Sequence, residues 1–350
     1  MGWFIYQDNL NLSEPTYGQI FLASCNDVTI ANQILFHTSI GIMAIDCFRM
    51  EVKNNTCCCN GRFGIFLSSC SYSIVEENIC NDNEERGIVI GRSTDLSLSR
   101  NKCYYNYYSG VTLGECSYSD IFHNICYKNN NEGLDISSEC TDLNFVNNTC
   151  YKNNGVGFVL GNLDNILIES NFIGENKYYG ISLRDTSNCF FQNNIIIDNT
   201  NYGICVFSLS NNNEIHHNNI INTITENYLA YDEGENNLWH SEISLKGNYW
   251  SSWLGIGTYL IDGPAEAEDL YPLSEAIDYL IPIIEEIACP PIPSPPPYPP
   301  PDSTNSDGTS KTKTVSLNSF IIISLVVLSQ IRKKNRDLFS ISLPKRRKEA

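Results

Sequence analysis

The chain has 350 residues and a formal net charge of -18, unevenly placed. Residues 302–350 hold 10 Lys+Arg against 4 Asp+Glu, leaving 12 against 36 in the residues before them. So acidic a body excludes nucleic acid as a partner, because neutralising phosphates takes a basic face.

Residues 1–17 contain neither a basic stretch followed by an apolar run nor a small-residue cleavage site, so they carry no signal peptide. They read as part of a repeat coil, and the expectation is a truncated version of a longer exported protein. From Gly18 a period dominates. Gly18, Gly41, Gly64, Gly87, Gly110, Gly133, Gly157, Gly180 and Gly203 recur at 23 residues, with one gap of 24, and each opens a short apolar run. A second column keeps the same beat: Asn32, Asn55, Asn78, Asn101, Asn124, Asn148, Asn171, Asn194 and Asn218. A period in the twenties held this long means a solenoid with one coil per repeat.

Each coil carries three short strand-like pieces. Alternate residues are apolar after the glycine (Ile65 and Leu67; Ile181 and Leu183) and again before the asparagine (Leu96 and Leu98; Ile166 and Ile168). Period-2 patterning broken by Asn, Ser, Asp and Gly indicates strands. No 3.6-residue stripe and no helical arc is present, which leaves an all-β, right-handed parallel β-helix of about nine coils over residues 18–225. At ~4.8 Å per coil the rod is roughly 43 Å long. The asparagines are predicted to stack from coil to coil through their side-chain amides, satisfying backbone groups at the bends. Asn60, Asn83, Asn106, Asn129, Asn153, Asn176 and Asn199 form a second such column.

Fifteen cysteines suggest disulfides, but their columns argue for core. Sixteen or seventeen residues after each glycine stand Ile34, Cys57, Cys80, Cys103, Cys126, Cys150, Ile173, Ile196 and Ile220. A place filled by either Ile or Cys is buried and apolar. Cys47, Cys70, Cys116 and Cys140 share another column with Ser93, Leu163, Thr186 and Leu209.

Residues 226–273 break the period. They contain AYD-x-G-x-N-x-W, then GNYWSSW, G-x-G-x-Y-x-I-x-G-x-A and D-x-YPL. With the repeats from residue 18, this combination resembles the NosD-type β-helix repeat family, which includes a copper-protein maturation factor and many archaeal surface proteins. Where that family has YWSDY, this chain has Tyr249-Trp250-Ser251-Ser252-Trp253. The resemblance implies a terminal module, and Trp239, Trp250 and Trp253 are expected to cover the last coil.

Residues 274–288 read as a short helix interrupted by Pro282, and the linker through residue 314 is Pro-rich, then polar. Val315 to Ile331 is apolar enough for a membrane span, and 332–350 is basic. By the positive-inside tendency this tail is cytoplasmic and the β-helix faces outward, held by a single pass.

No pattern for catalysis stands out. Motifs resembling those of polygalacturonases, pectate lyases or pectin esterases are missing, and the five histidines lie in different columns. Three methionines and no Met/His cluster speak against copper. Two outward groups remain. Tyr104, Tyr127 and Tyr151 stand in three successive coils and could offer ring faces to sugars. Glu115, Asp135 and Glu139 could hold calcium, the one cofactor with any basis here. Asn11, Asn54 and Asn147 open glycosylation sequons. The expected function is a non-catalytic, membrane-anchored surface module for carbohydrate or envelope components. A polysaccharide lyase or glycoside hydrolase, or a NosD-like helper in metalloprotein assembly, are the alternatives. The repeats set no oligomeric state.

Overall fold

The computed structural model describes residues 3–5, 10–13, 18–223, 229–278 and 280. Over these the chain winds as a parallel β-solenoid, and among the described residues there is no helix. The strand after each glycine and the strand before each ladder asparagine run through one extended sheet of 21 strands. The third strand of each coil belongs to a separate sheet of 10. Register is kept strictly: Ile65, Ile88, Val111 and Leu134 lie directly above one another, as do Cys57, Cys80, Cys103, Cys126 and Cys150. Their inward side chains form one continuous core along the rod.

The asparagine stack has a definite geometry. Asn78 Oδ1 accepts from the backbone N–H of Asn55 at 3.0 Å and from Asn55 Nδ2 at 2.9 Å. Asn78 Nδ2 donates to Val52 O at 2.8 Å and to Asn101 Oδ1 at 2.9 Å. All donors and lone pairs of the amide are used, and every ladder side chain is fully buried. The second column repeats the pattern: Asn106 Nδ2 donates to Cys80 O and to Asn129 Oδ1, both at 2.9 Å.

The first coil departs from the sequence register by one residue. Ile20 pairs with Ile42, a spacing of 22, so Gly18 stands outside the glycine column. Accordingly Gln33, not Asn32, begins the ladder: its N–H donates to Asn55 Oδ1 at 2.9 Å. Asn32 is exposed, with φ 58°. Leu35, not Ile34, sits above Cys57, and at the other end Ser210 replaces Leu209, which is 69% exposed. Asn32 does show what its position is for. The residue before each ladder asparagine is left-handed throughout: Asn54, Glu77, Arg100, His123, Asn147, Ser170, Asn193 and His217 all have φ between 53° and 57°. The tight bend is thus made by the preceding residue, and the ladder asparagine supplies only its amide. The sequon residues Asn54 and Asn147 occupy these exposed bends, next to buried Asn55 and Asn148.

The glycine column exists because coils approach closely there. A Cβ on Gly110 would lie 2.9 Å from Gly133 O and from Cys126 Sγ, and on Gly87 2.5 Å from Gly110 O. The cysteines are packing atoms. Apart from Cys58, which is disulfide-bonded, the described cysteines are free thiols, all buried but Cys59. Burial pushes the Cys189 thiol up to about 12, which leaves it protonated and inert.

At the C-terminal end the ladder continues past Asn218. Asn218 Nδ2 donates to Asn248 Oδ1 at 2.9 Å, and the N–H of Asn248 donates to Asp269 Oδ2 at 2.7 Å. The terminal motif reads as two buried carboxylates. Asp232 accepts from Gly234 N, Asn237 Nδ2 and Trp239 Nε1; Asp269 accepts from Asn248 N, Trp250 Nε1 and Tyr271 N. Gly247 has no room for a Cβ, which would meet Asp269 Oδ1 at 1.8 Å. Both indoles join the core, and Tyr259 stacks on Trp250 at 4.2 Å. Residues 274–278 are not helical, and the expected Pro-rich linker, membrane span and basic tail lie outside the described residues.

Replacing Asn101 by alanine strands the N–H of Asn78 and the carbonyl of Val75 in the core, and is expected to cost about 3 kcal/mol. Replacing Asn32 should cost about 1 kcal/mol or less, since only an exposed bend is disturbed. Urea unfolding of both variants checks the difference; equal losses would contradict the one-residue shift.

Candidate functional site

The two groups of outward residues picked from the sequence meet different fates. Tyr104, Tyr127 and Tyr151 do stack on the outer face of the third sheet, with the Tyr127 and Tyr151 rings 5.8 Å apart and nearly parallel. They are buried, however, with exposures of 2%, 8% and 9%, in a second apolar cluster with Phe172, Ile195 and Ile197. Their ring faces are therefore not an open platform. The acidic trio is not assembled either. Glu115 pairs with Arg92 at 3.0 Å, and Glu139 is exposed at the bend that absorbs the extra residue of the 24-residue coil. Asp135 lies inside the first strand of its coil, with its side chain on the outer face. Among the described residues no three His, Cys, Asp or Glu converge to hold a metal ion.

One residue beyond the tyrosines the surface opens. Asp82, Tyr105, Lys128, Lys152 and Glu175 form one column at the bend, and Glu84, Tyr107, Asn130, Asn154 and Lys177 another. The buried asparagine ladder lies between them as a floor, and together they enclose a groove of about 690 Å³ along the rod. Lys128 Nζ donates to the Tyr105 hydroxyl at 3.0 Å and lies 4.9 Å from the Tyr127 ring centre. Lys152 sits 4.7 Å over Tyr151 and pairs with Glu175 at 3.5 Å, while the Tyr151 hydroxyl also donates to Glu175. The buried tyrosines thus act as a base that holds lysine stems in place. Tyr105 is 40% and Tyr107 58% exposed, so the accessible aromatic faces are theirs. The sequence carries a signal for this groove: Tyr-Lys-Asn-Asn occurs at 127–130 and again at 151–154, one coil apart.

A second locus lies on the outer face of the first sheet, where Val89, Thr112, Asp135 and Val159 are stacked. Asp135 is partly buried, and its carboxyl is pushed up to about 6, first by desolvation, then by Glu132, against the pull of Arg86. Glu132 accepts from Ser109 Oγ at 2.8 Å, and Arg86 lies over the Tyr108 ring at 5.5 Å. Thr112 Oγ1, buried beside Asp135, has no hydrogen-bond partner among the described residues. Further along the same face Tyr179, Tyr202 and Tyr231 form an aromatic wall, with Arg184 over Phe207.

With this geometry in place, comparison with known proteins defines the class. The family described as right handed beta helix region matches residues 6–150 and 87–248, and the chain belongs to it. Among solved structures it is similar to the A-modules of two Azotobacter vinelandii mannuronan C-5 epimerases. For AlgE4 the TM-score is 0.53 at 18% identity, covering 61% of this chain and 64% of that one. For AlgE6 the TM-score is 0.54 at 15% identity, covering 63% and 68%. The chain thus spans just under two thirds of the AlgE4 module, and the likeness is one of fold. No curated protein matches the chain.

Because the fold raises the Asp135 pKa, it favours the protonated carboxyl. That contribution is complete below the ordinary carboxylate range and is lost as pH rises through about 6. Discounted for partial exposure, the loss should be about 1–2 kcal/mol between pH 4 and 7. Asp135→Asn should remove this part of the pH dependence, as urea unfolding at the two pH values will show; an unchanged slope places the titration elsewhere.

Proposed function

We propose that this right-handed β-helix protein is a carbohydrate-binding surface module whose ligand lies in the groove of Tyr105, Tyr107, Lys128, Lys152 and Lys177. The groove itself carries the reading: it sets three lysines and two accessible aromatic rings among Asp82, Glu84 and Glu175, a balance of charge on a rod whose body is otherwise strongly acidic. Rings offer apolar faces to sugar rings, and ammonium groups form charge-assisted hydrogen bonds to carboxylates. A polysaccharide bearing carboxylates satisfies both. The coils rise by ~4.8 Å, and the groove follows them along the rod, which suits a linear chain better than a compact ligand. That the two epimerases of similar fold are named for mannuronan, a polysaccharide, is in keeping with this. Attachment to a membrane by residues 315–331, with the β-helix outside, completes the proposal; its support is the order of proline-rich spacer, apolar run and basic tail in the sequence. Kinship with NosD-type proteins in particular rests on the terminal motif alone.

A second reading has its own observation. Asp135, its carboxyl pushed up to about 6 and the Thr112 hydroxyl beside it without a partner among the described residues, has the makings of a proton-transfer group acting on a sugar. It would make the protein a polysaccharide-modifying enzyme.

Glycan-array binding of the full chain in detergent tests the first reading. Carboxylated polysaccharides should be retained, more weakly as salt rises. Lys128→Ala with Lys152→Ala should weaken retention about tenfold, and Tyr107→Ala about fivefold, corresponding to roughly 1 kcal/mol for a lost ring contact. Retention of neutral glycans alone, or variants that bind like the parent, would overturn it. Cleavage or chemical change of the bound polysaccharide that disappears in Asp135→Asn would establish the second.

A further inference from the structure

We propose that the loop of residues 251–258 in the terminal module sinks its Leu254 and Ile256 side chains into the surface of a lipid bilayer. The inference goes beyond the carbohydrate reading, and it rests on the membrane attachment through residues 315–331 proposed with that reading. Three observations on the loop converge on it.

Exposed aliphatic side chains gather in this module. Along the coils of residues 18–223 the exposed Leu and Ile residues are Ile74 and Leu209, and the other exposed large apolar residues there are Phe190 and tyrosines, whose hydroxyls still meet water. The terminal module exposes Ile243, Leu245, Leu254, Ile256 and Leu260. Leu254 is 92% and Ile256 86% exposed, close to all the surface these side chains can offer. Side chains without a polar atom, gathered in one loop and held so far out, mark a contact surface.

The loop is built to hold them out. At its base the N–H of Trp253 donates to Trp250 O at 3.1 Å, and Tyr259 stacks on Trp250 with ring centres 4.2 Å apart. Tyr259 and Leu260 pair in turn with Asp269 and Glu268. Trp250 belongs to the core, so this base is fixed. Above it Gly255 and Gly257 alternate with Leu254 and Ile256, and both glycines are left-handed, at φ 81° and 75°. A Cβ on either would meet no atom within 4 Å. They are needed for their backbone conformation and not for close packing, and the tip stands in open space.

A projecting tip of this kind suits a fluid surface. A stable contact with another protein buries about 800 Å² on each side and needs a surface of matching shape. Two side chains on an isolated tip offer neither. At a bilayer no matching pocket is required, and apolar groups settle at the boundary between headgroups and acyl chains.

Charge points the same way. Gly247 through Ile261 carries no charged residue, and the exposed charges that follow, Asp262, Glu266 and Glu268, are acidic. The contact is therefore apolar, indifferent to salt, and better with net-neutral than with anionic headgroups. It is also weak, since two aliphatic side chains bury less than a myristoyl chain, whose own binding is marginal. It forms because attachment through residues 315–331 makes it an intramolecular event, and it then holds the terminal module at the bilayer surface.

Photo-crosslinking of the full chain reconstituted in phosphatidylcholine vesicles tests the proposal. With p-benzoylphenylalanine in place of Leu254, protein recovered by flotation should be joined to acyl chains. The same group in place of Tyr118, 64% exposed on the coils, should give about tenfold less lipid adduct. Leu254→Ser with Ile256→Ser supplies the second measurement, since both side chains stand clear of the rod. In that variant the adduct from the photo-group placed at Leu260 should fall about fivefold, and in the parent the yield should hold as salt rises. Floated protein without lipid adduct at residue 254 overturns the docking and leaves the attachment standing, whereas protein that does not float overturns both. Equal yields at residues 254 and 118, adducts to a second copy in place of lipid, or a yield that falls with salt or rises with anionic lipid also overturn the docking.

Discussion

The rod depends above all on the side-chain amides that fill two of the bends in each coil. A parallel coil must turn three times, and at every turn its backbone leaves the sheet with N–H and C=O groups that water cannot reach. At two of those turns an asparagine meets that need with one residue per bend, since its oxygen takes two donors from the coil before and its nitrogen feeds a carbonyl and the next amide. The arrangement is self-propagating, because the partner of each asparagine is the next asparagine. It must also be ended. Gln33 ends it at one side, where its longer side chain reaches Leu12 O and Ala31 O, and the Asp269 carboxylate ends it at the other.

The interior was legible because burial constrains residue type. Wherever a column faces inward, apolar side chains, Cys, a small hydroxyl or a ladder amide serve, so sequence columns and spatial columns coincide over most of the rod. They part company at the first coil and at Ser210, and the reason is instructive. A coil of 22 residues keeps its spatial register by shortening one bend, while counting along the sequence does not know which bend was shortened. Asn32 imitates a ladder residue, because an asparagine suits the left-handed position before the ladder as well as the ladder itself.

The exterior was harder to read, and the tyrosines show why. Alternation correctly put Tyr104, Tyr127 and Tyr151 outside the core, but outside the core of a solenoid is not the same as open to solvent. Period-2 patterning reports which side of a strand a residue is on; it does not report how far that side is exposed. Glu115 and Asp135 differ in the same way. Both were outward and acidic, yet Glu115 is partnered by an arginine one coil away, whereas Asp135 is sunk between coils where its charge is costly.

The bend column that lines the groove offers the clearest separation of structure from function. Cys59, Asp82, Tyr105, Lys128, Lys152, Glu175 and Asp198 all hold the same left-handed backbone, with φ from 48° to 57°. That conformation is best served by glycine or asparagine, and a longer side chain there costs on the order of 1 kcal/mol. The backbone alone therefore does not call for the tyrosine and two lysines at the centre of this column. Nor do they pack into the core: what they have in common is access to the groove and a seat on the tyrosines below. Arg49, Tyr72, Glu77, Arg92 and Arg100 hold the same left-handed backbone at other bends, so what sets the groove column apart is not its φ but its seat on the stacked tyrosines and its place along the groove.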